Sequence, residues 1–317
     1  MKKNFLIFLK VTFQYLFFIG ETFGLSFLTN ESFITAEKKK LLQKHEKFSL
    51  EEFFSRKNFE KDKVYSELVK IDDSITPNIS AKSYILYIPE TGQILIGKNI
   101  HEKRSVASIT KLVTALVIFF QEKNLDKEIE VHSGIYLNKE ESAVGVEAGE
   151  KIRLKELLKG LLISSGNDLA WVVSGGFKNK ESENFVHKMN EMALFLGAKN
   201  TNFKNPTGLD EDGQFSTAFD VALISWEVIK NPFFRNIISK KEDTMTTSKK
   251  TYYLKNTNQL LWYPYLKIEG IKTGTTEKAG QCLVSFIEKN RLTIIGVVLG
   301  SDDRYFDMKV LFDLVGR

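Results

Sequence analysis

A mixed α+β fold is predicted on three observations: an apolar strand hairpin near residues 82–96, a mostly helical middle from Leu125 to Pro232, and consecutive strand-like runs after Leu266. The 317 residues, 43% of them hydrophobic, suffice for one large domain or two small ones around a substantial core. A net charge of +5 raises the question of an anionic partner. The lysines are spread along the chain without a basic stripe, and no nucleic-acid motif occurs, so nucleic acid is not expected as a partner. The histidines, at 45, 101, 132 and 187, lack the paired spacing of metal ligands, and neither a metal nor another cofactor is expected. The single cysteine, Cys282, excludes an intramolecular disulfide and lies too deep for N-terminal lipidation; its apolar surroundings suit a small core residue.

Met1-Lys2-Lys3 followed by an apolar run to Gly20 is export chemistry, so residues 1–29 read as a signal peptide or an N-terminal membrane anchor. The uncharged stretch before Glu21 is about 10 residues, closer to a signal-peptide core than to a span of about 20. Cleavage after Ser26 and retention both remain open. The expected location is exported, either periplasmic or on the outer face of the cytoplasmic membrane. Residues 30–75 are rich in Lys and Glu with apolar residues at mixed helical spacing, a charged and helical extension without visible chemistry. The β-branched and aromatic run Lys82-Ser-Tyr-Ile-Leu-Tyr-Ile then predicts a buried strand, turned by Glu90-Thr-Gly into Gln93-Ile-Leu-Ile.

The next segment, Ser108-Ile-Thr-Lys111 continuing into an apolar run to Phe120, reads as a helix of three or four turns with Ser108 in its first turn. Residues three apart share a helix face, so the Lys111 amine reaches the Ser108 hydroxyl, and the helix N-terminus favours negative charge developing on that oxygen. Lys111 must be neutral to act as a base. Lowering its pKa from about 10.4 to about 7 or 8 costs on the order of 4 kcal/mol, which burial near a second cation, Lys272, can supply. Further on, Ser164-Ser165-Gly166-Asn167 breaks an apolar helix pair and projects a hydroxyl and an amide. A rival of the same form, Ser182-Glu183-Asn184, falls in a charged run and reads as solvated loop. In the last third, Lys272-Thr273-Gly274 sits in the first of three runs that read as consecutive antiparallel strands. There Lys272 offers positive charge, Thr273 or Thr275 a hydroxyl, and Gly274 room for a substrate chain.

With the three motifs in this order, the chain resembles the low-molecular-mass penicillin-binding proteins, the serine D-alanyl-D-alanine carboxypeptidases. The resemblance runs from about Lys82 to Gly316 and includes Gly160-Leu-Leu-Ile-Ser-Ser-Gly-Asn-Asp, Asn205-Pro-Thr-Gly-Leu-Asp, Ser216-Thr-Ala-Phe-Asp and Gly300-Ser-Asp-Asp-Arg304. It implies a DD-peptidase/serine β-lactamase-like fold, an antiparallel five-stranded sheet flanked by helices with a helical subdomain, over a catalytic domain at 76–317. It makes Ser108 the nucleophile, Lys111 its base and Ser165 a proton carrier. Asn167 would bind the substrate amide and Lys272 and Thr273 the terminal carboxylate. The backbone N–H groups of Ser108 and Thr275 would form the oxyanion hole. Implied partners are peptidoglycan stem peptides, with β-lactams as covalent inhibitors, and the cytoplasmic membrane through the N-terminus if that segment stays uncleaved.

Three other activities are weighed. A class A β-lactamase would carry Asp in the middle motif and a Glu-x-x-Leu-Asn element, whereas this chain has Gly166 and no such element. A D,D-endopeptidase acting on cross-links shares every motif. An inactive envelope-binding protein would have lost a motif residue. Many relatives continue into a β-rich domain and an amphipathic helix; here the sequence stops at Arg317, leaving attachment to the N-terminus. The segment 136–149 reads as shorter than the loop some relatives place beside the site. Arg304 reads as a surface charge at a helix start, with carboxylate binding as the alternative.

Overall fold

The computed structural model describes residues 76–132, 142–176, 180–263 and 267–316. They all fall in the second of the chain's two units, Val64–Arg317. The expected signal peptide or anchor, the charged extension to residue 75, and residues 136–141 of the short loop lie outside the described residues. Among the described residues no helix is long and apolar enough to cross a membrane.

In chain order the elements are β1 (Ser83–Ile88), β2 (Gln93–Lys98), a 3-10 turn (Ala107–Thr110), α1 (Lys111–Gln121), β3 (Glu128–Glu130), β4 (Lys151–Arg153), α2 (Leu154–Ile163), α3 (Asn167–Val173) and α4 (Lys180–Phe195). There follow α5 (Ala218–Lys230), α6 (Pro232–Ile238), β5 (Glu242–Thr246), β6 (Thr251–Lys255), a 3-10 turn (Gln259–Trp262), β7 (Glu269–Thr276), β8 (Gly280–Lys289), β9 (Leu292–Ser301) and α7 (Arg304–Leu314). The main sheet has five antiparallel strands in the order β2-β1-β9-β8-β7, as the resemblance implied. The pairs β3-β4 and β5-β6 are separate two-stranded sheets.

Both faces of the sheet are covered, and the sequence divides between them with the period of two that a pleated strand imposes. On β1, Tyr84, Leu86 and Ile88 join the cluster packed by Met308, Leu311 and Phe312 of α7, while Ile85 and Tyr87 join the larger cluster built with α1, α2 and α5. On β9, Ile294 and Val298 face α7 and Ile295, Val297 and Leu299 face the other way. Gly296 lies between them on the α7 side, where a Cβ would come within 2.5 Å of Met308 Sδ. This two-sided burial is why β1 reads as an uninterrupted apolar run.

The hairpin, the Lys111 helix and the three late strands stand where the sequence puts them. Three readings need correction. Ser182 and its neighbours belong to α4, where Ser182 is buried three residues before Phe185 on the face that continues to Met189 and Met192. The middle region is interrupted by β3-β4. The β5-β6 hairpin was not foreseen. β7 forms one edge of the main sheet, and the turn carrying Ser108 packs against it, which sets the site at the seam between sheet and helices.

Candidate active site

The turn Ala107–Thr110 delivers Ser108, and Lys111 opens α1 directly after it. Ala107 adopts a left-handed backbone, φ +49°, a conformation uncommon for a residue with a Cβ. Gly208, at φ +87°, packs flat on it, since a Cβ there would come within 2.0 Å of the Ala107 carbonyl oxygen. Lys111 is fully buried. Its Nζ lies 2.8 Å from Ser108 Oγ, 2.6 Å from Asn167 Oδ1 and 2.7 Å from the Thr207 carbonyl oxygen. Those three acceptors match the three donors of an ammonium group. They equally suit a neutral amine, which gives two N–H bonds to Asn167 and Thr207 and receives the Ser108 hydroxyl proton on its lone pair. One set of partners therefore serves both protonation states of the amine.

Ser165 and Asn167, each 4% exposed, occupy the break between α2 and α3. Ser165 is left-handed, φ +62°, a conformation costing on the order of 1 kcal/mol that persists only where its surroundings over-determine it. Asp168 supplies much of that determination. Its buried carboxylate accepts the backbone N–H groups of Val144, Gly145, Val146 and Leu169. The clamped segment bonds back, with Asn167 N–H donating to the Ser142 carbonyl at 2.8 Å and Ser142 Oγ to the Ser164 carbonyl at 3.0 Å. Gly166 lies under this clamp. A Cβ there would meet Asp168 Oδ1 at 2.7 Å and Val144 Cγ2 at 3.0 Å, so the middle motif has no space for an Asp in its second place.

On β7, Lys272 is 1% exposed and donates from Nζ to the Thr273 carbonyl at 3.0 Å. Burial, with the Arg304 charge second, lowers its pKa to about 7. Thr273 Oγ1 donates to Thr257 Oγ1 at 2.6 Å. Gly274 meets Val106 O, Ala107 Cβ and Ser108 N within 3.0 Å of where a Cβ would stand. The space beside it is filled by the turn carrying Ser108 rather than left for a substrate chain, and its lack of a side chain is what lets Ser108 N approach the strand that carries Thr275. Arg304 is not a free surface charge. Its Nη1 donates to the carbonyls of Gly274 at 2.8 Å and Cys282 at 3.1 Å, its Nε to Gln281 Oε1 at 3.0 Å, and its Nη2 to Thr275 Oγ1.

Lys111 thus joins Ser108 to Asn167, Gly274 joins Ser108 to the Lys-Thr-Gly strand, and Arg304 joins that strand to α7. Thr207 was missed as a site residue. Its signal was Asn205-Pro-Thr-Gly-Leu-Asp, a loop in which Asn205 Oδ1 accepts Thr207 Oγ1 and Gly208 N–H, and Asp210 accepts Thr276 Oγ1 and Lys278 N–H. Asp168 carried no signal beyond its place next to Asn167, and Thr257 lies in no motif. Among the described residues no group of His, Cys, Asp and Glu is arranged to hold a metal ion.

Residues 71–303 match the family profile described as D-alanyl-D-alanine carboxypeptidase, peptidase S11. The D-alanyl-D-alanine carboxypeptidase DacF of Bacillus subtilis is 37% identical over 245 residues, covering 74% of this chain and 62% of the relative. The chain therefore spans less than two thirds of that relative's length. Among solved structures, the Streptomyces K15 DD-transpeptidase superposes with a TM-score of 0.68 at 29% identity, covering 76% of this chain and 98% of the other. Penicillin-binding protein 6B from Escherichia coli gives 0.67 at 31% identity, covering 78% and 80%. The fold, the order of the motifs and the match over residues 71–303 together place this chain in the D-alanyl-D-alanine carboxypeptidase family of serine peptidases.

Proposed function

We propose that the chain is an exported serine D-Ala-D-Ala carboxypeptidase that removes the terminal D-Ala from peptidoglycan stem pentapeptides, with residues 76–317 as its catalytic domain. The observation that carries this is the buried Lys111 amine, 2.8 Å from the Ser108 hydroxyl and held by two further acceptors. In the neutral form Lys111 takes the Ser108 proton as Oγ attacks the carbonyl of the penultimate D-Ala. The backbone N–H groups of Ser108 and Thr275 receive the oxyanion, each such donor worth roughly 3 kcal/mol in comparable sites. Ser165 passes a proton to the leaving amine, the C–N bond breaks, and water hydrolyses the Ser108 ester. Asn167 donates to the substrate's amide carbonyl. Lys272, Thr273, Thr275 and Arg304 take the terminal carboxylate in a positive, desolvated corner, and Gly274 permits the approach of the nucleophile's turn. β-Lactams acylate Ser108 by the same attack. The place of action is the periplasm or the outer face of the cytoplasmic membrane, where the substrate is found.

The test is release of D-Ala from a pentapeptide ending in D-Ala-D-Ala, with Ser108→Ala in parallel. Release by the wild type and none by the variant is expected. Release by both would remove Ser108 as the nucleophile.

A further inference from the structure

The loop at 205–210 meets the turn carrying Ser108 on one side and the far end of β7 on the other. On the first side the Thr207 carbonyl accepts Lys111 Nζ at 2.7 Å, and Gly208 lies flat on the Ala107 carbonyl. One turn further along α1, the buried Thr114 hydroxyl donates to the Pro206 carbonyl at 2.7 Å. On the second side the Asp210 carboxylate reaches the turn between β7 and β8. Its Oδ1 accepts the Thr276 hydroxyl at 2.7 Å and its Oδ2 the Lys278 N–H at 2.9 Å. Thr276 Oγ1 in turn accepts Ala279 N–H at 3.1 Å, so carboxylate and hydroxyl together close that turn.

The arm between these contacts is braced. Asn205 Oδ1 accepts Thr207 Oγ1 and Gly208 N–H, and its Nδ2 donates to the Leu209 carbonyl at 3.0 Å. Gln214 Nε2 donates to the same carbonyl at 2.7 Å, while its Oε1 accepts the N–H groups of Lys204 and Asn205. Leu209 immediately precedes Asp210, so the place of the carboxylate is fixed from the Lys111 side. What it holds is the strand end that carries Thr275, where Thr275 pairs with Gln281 and Thr276 with Gly280. Gly274 fastens that strand to Ser108 N from within. Asp210 fastens it a second time, one residue beyond Thr275. Asp212 of the same loop differs: it meets only the Lys278 ammonium, at 2.8 Å between exposed side chains, and such a solvated ion pair fixes little.

We propose that Asp210 is a positioning residue for the oxyanion hole, setting the place of the Thr275 N–H relative to Ser108 and Lys111 through its bonds to Thr276 and Lys278. The inference rests on the carboxypeptidase reading of the site, in which the N–H groups of Ser108 and Thr275 receive the oxyanion. Donors to an oxyanion count most once charge has developed, and a displacement of about 1 Å can cost on the order of a hundredfold in rate. Loss of the outer fastening therefore slows acylation and spares the ground-state binding of peptide, which draws on Asn167, Lys272 and Thr273.

The experiment uses the full chain with three readouts: acylation by labelled penicillin, affinity for a peptide boronic acid that bonds Ser108 Oγ as a tetrahedral anion, and, in the Ser108→Ala background, the Kd of a D-Ala-D-Ala peptide. Asp210→Ala and Thr276→Val should each lower acylation rate and boronate affinity at least tenfold, with peptide Kd within threefold of the parent. The double variant should be no worse than Asp210→Ala, because both remove one bond. Thr276→Ser, which keeps the hydroxyl, should recover acylation, and Asp212→Ala, which removes the same charge from the same loop, should leave all three readouts unchanged. Acylation within twofold of the parent in both Asp210→Ala and Thr276→Val overturns the proposal. So does an equal loss of peptide and boronate binding, the mark of a merely structural role, or a loss with Asp212→Ala as large as with Asp210→Ala. Failure of the parent itself to release D-Ala or to be acylated would instead sink the carboxypeptidase reading.

Discussion

Two buried groups show how differently one environment can treat a side chain. The Cys282 thiol, packed between strands, is pushed up to about 11 by burial and stays an inert core residue. Lys272, equally enclosed, is driven the other way to about 7, because burial and the neighbouring Arg304 both disfavour its ammonium form. A lysine whose folded pKa lies below its unfolded value of about 10.4 destabilises the fold at low pH, and stability is regained as pH rises from about 7 towards 10. An anion in the corner reverses that preference by pairing with the ammonium. Binding of a carboxylate-ended peptide should therefore draw on protonated Lys272. For the Ser108→Ala protein, the Kd of a D-Ala-D-Ala peptide is expected to be flat below pH 7 and to rise by up to tenfold per pH unit above it. Titration calorimetry from pH 6 to 9 checks this, and a Kd that stays constant to pH 9 would show that Lys272 is not the group meeting the carboxylate.

At the scale of elements, the site is a set of short turns held by polar side chains one position away from the motif residues. Asp168 is the clearest case, one carboxylate holding four backbone N–H groups and, through them, the segment that bonds Ser164 and Asn167. Asp168→Ala would leave those buried donors unpaired, at a cost of about 2–4 kcal/mol. Acylation by labelled penicillin should slow by at least tenfold in the portion that remains folded, as Ser165 and Asn167 lose their support; unchanged melting temperature and acylation rate would show the clamp to be idle. The motif residues themselves were legible because their chemistry is local: a Ser and Lys three apart on a helix, a polar break between apolar helices. The clamp was not legible, since three of the four partners of Asp168 lie 22 to 24 residues away and all are backbone groups that leave no trace in side-chain identity. Arg304 misled for a related reason. A helix-start arginine is ordinarily solvated, and only the folding of β7 and β8 beside it supplies the carbonyls that bind it.

At the scale of the whole molecule, what could be read was what carries strong apolar periodicity. β1, β8 and β9 were legible because both sheet faces are covered, so their central residues run largely apolar, whereas β7 was legible through its Lys-Thr-Gly motif. The β5-β6 hairpin was not, because each strand buries one residue, Met245 or Leu254, and the rest read as polar linker. Among the described residues, the buried members of the two core clusters run from Ala81 to Val315. Asp307 of α7 ties down the chain just before β1. That buried carboxylate accepts Ser80 N–H, Ser80 Oγ, Ala81 N–H and Ser301 Oγ, fastening the chain just before β1 to the last helix. A fragment of residues 64–317 keeps all four donors to Asp307. A fragment of residues 82–317 keeps every core residue except Ala81 but strips Asp307 of three of its four donors. It should be less stable by about 3 kcal/mol, the worth of a lost set of charge-assisted bonds left partly uncompensated in the interior. Equal midpoints for the two fragments would mean that the sheet and α7 hold together by apolar packing alone.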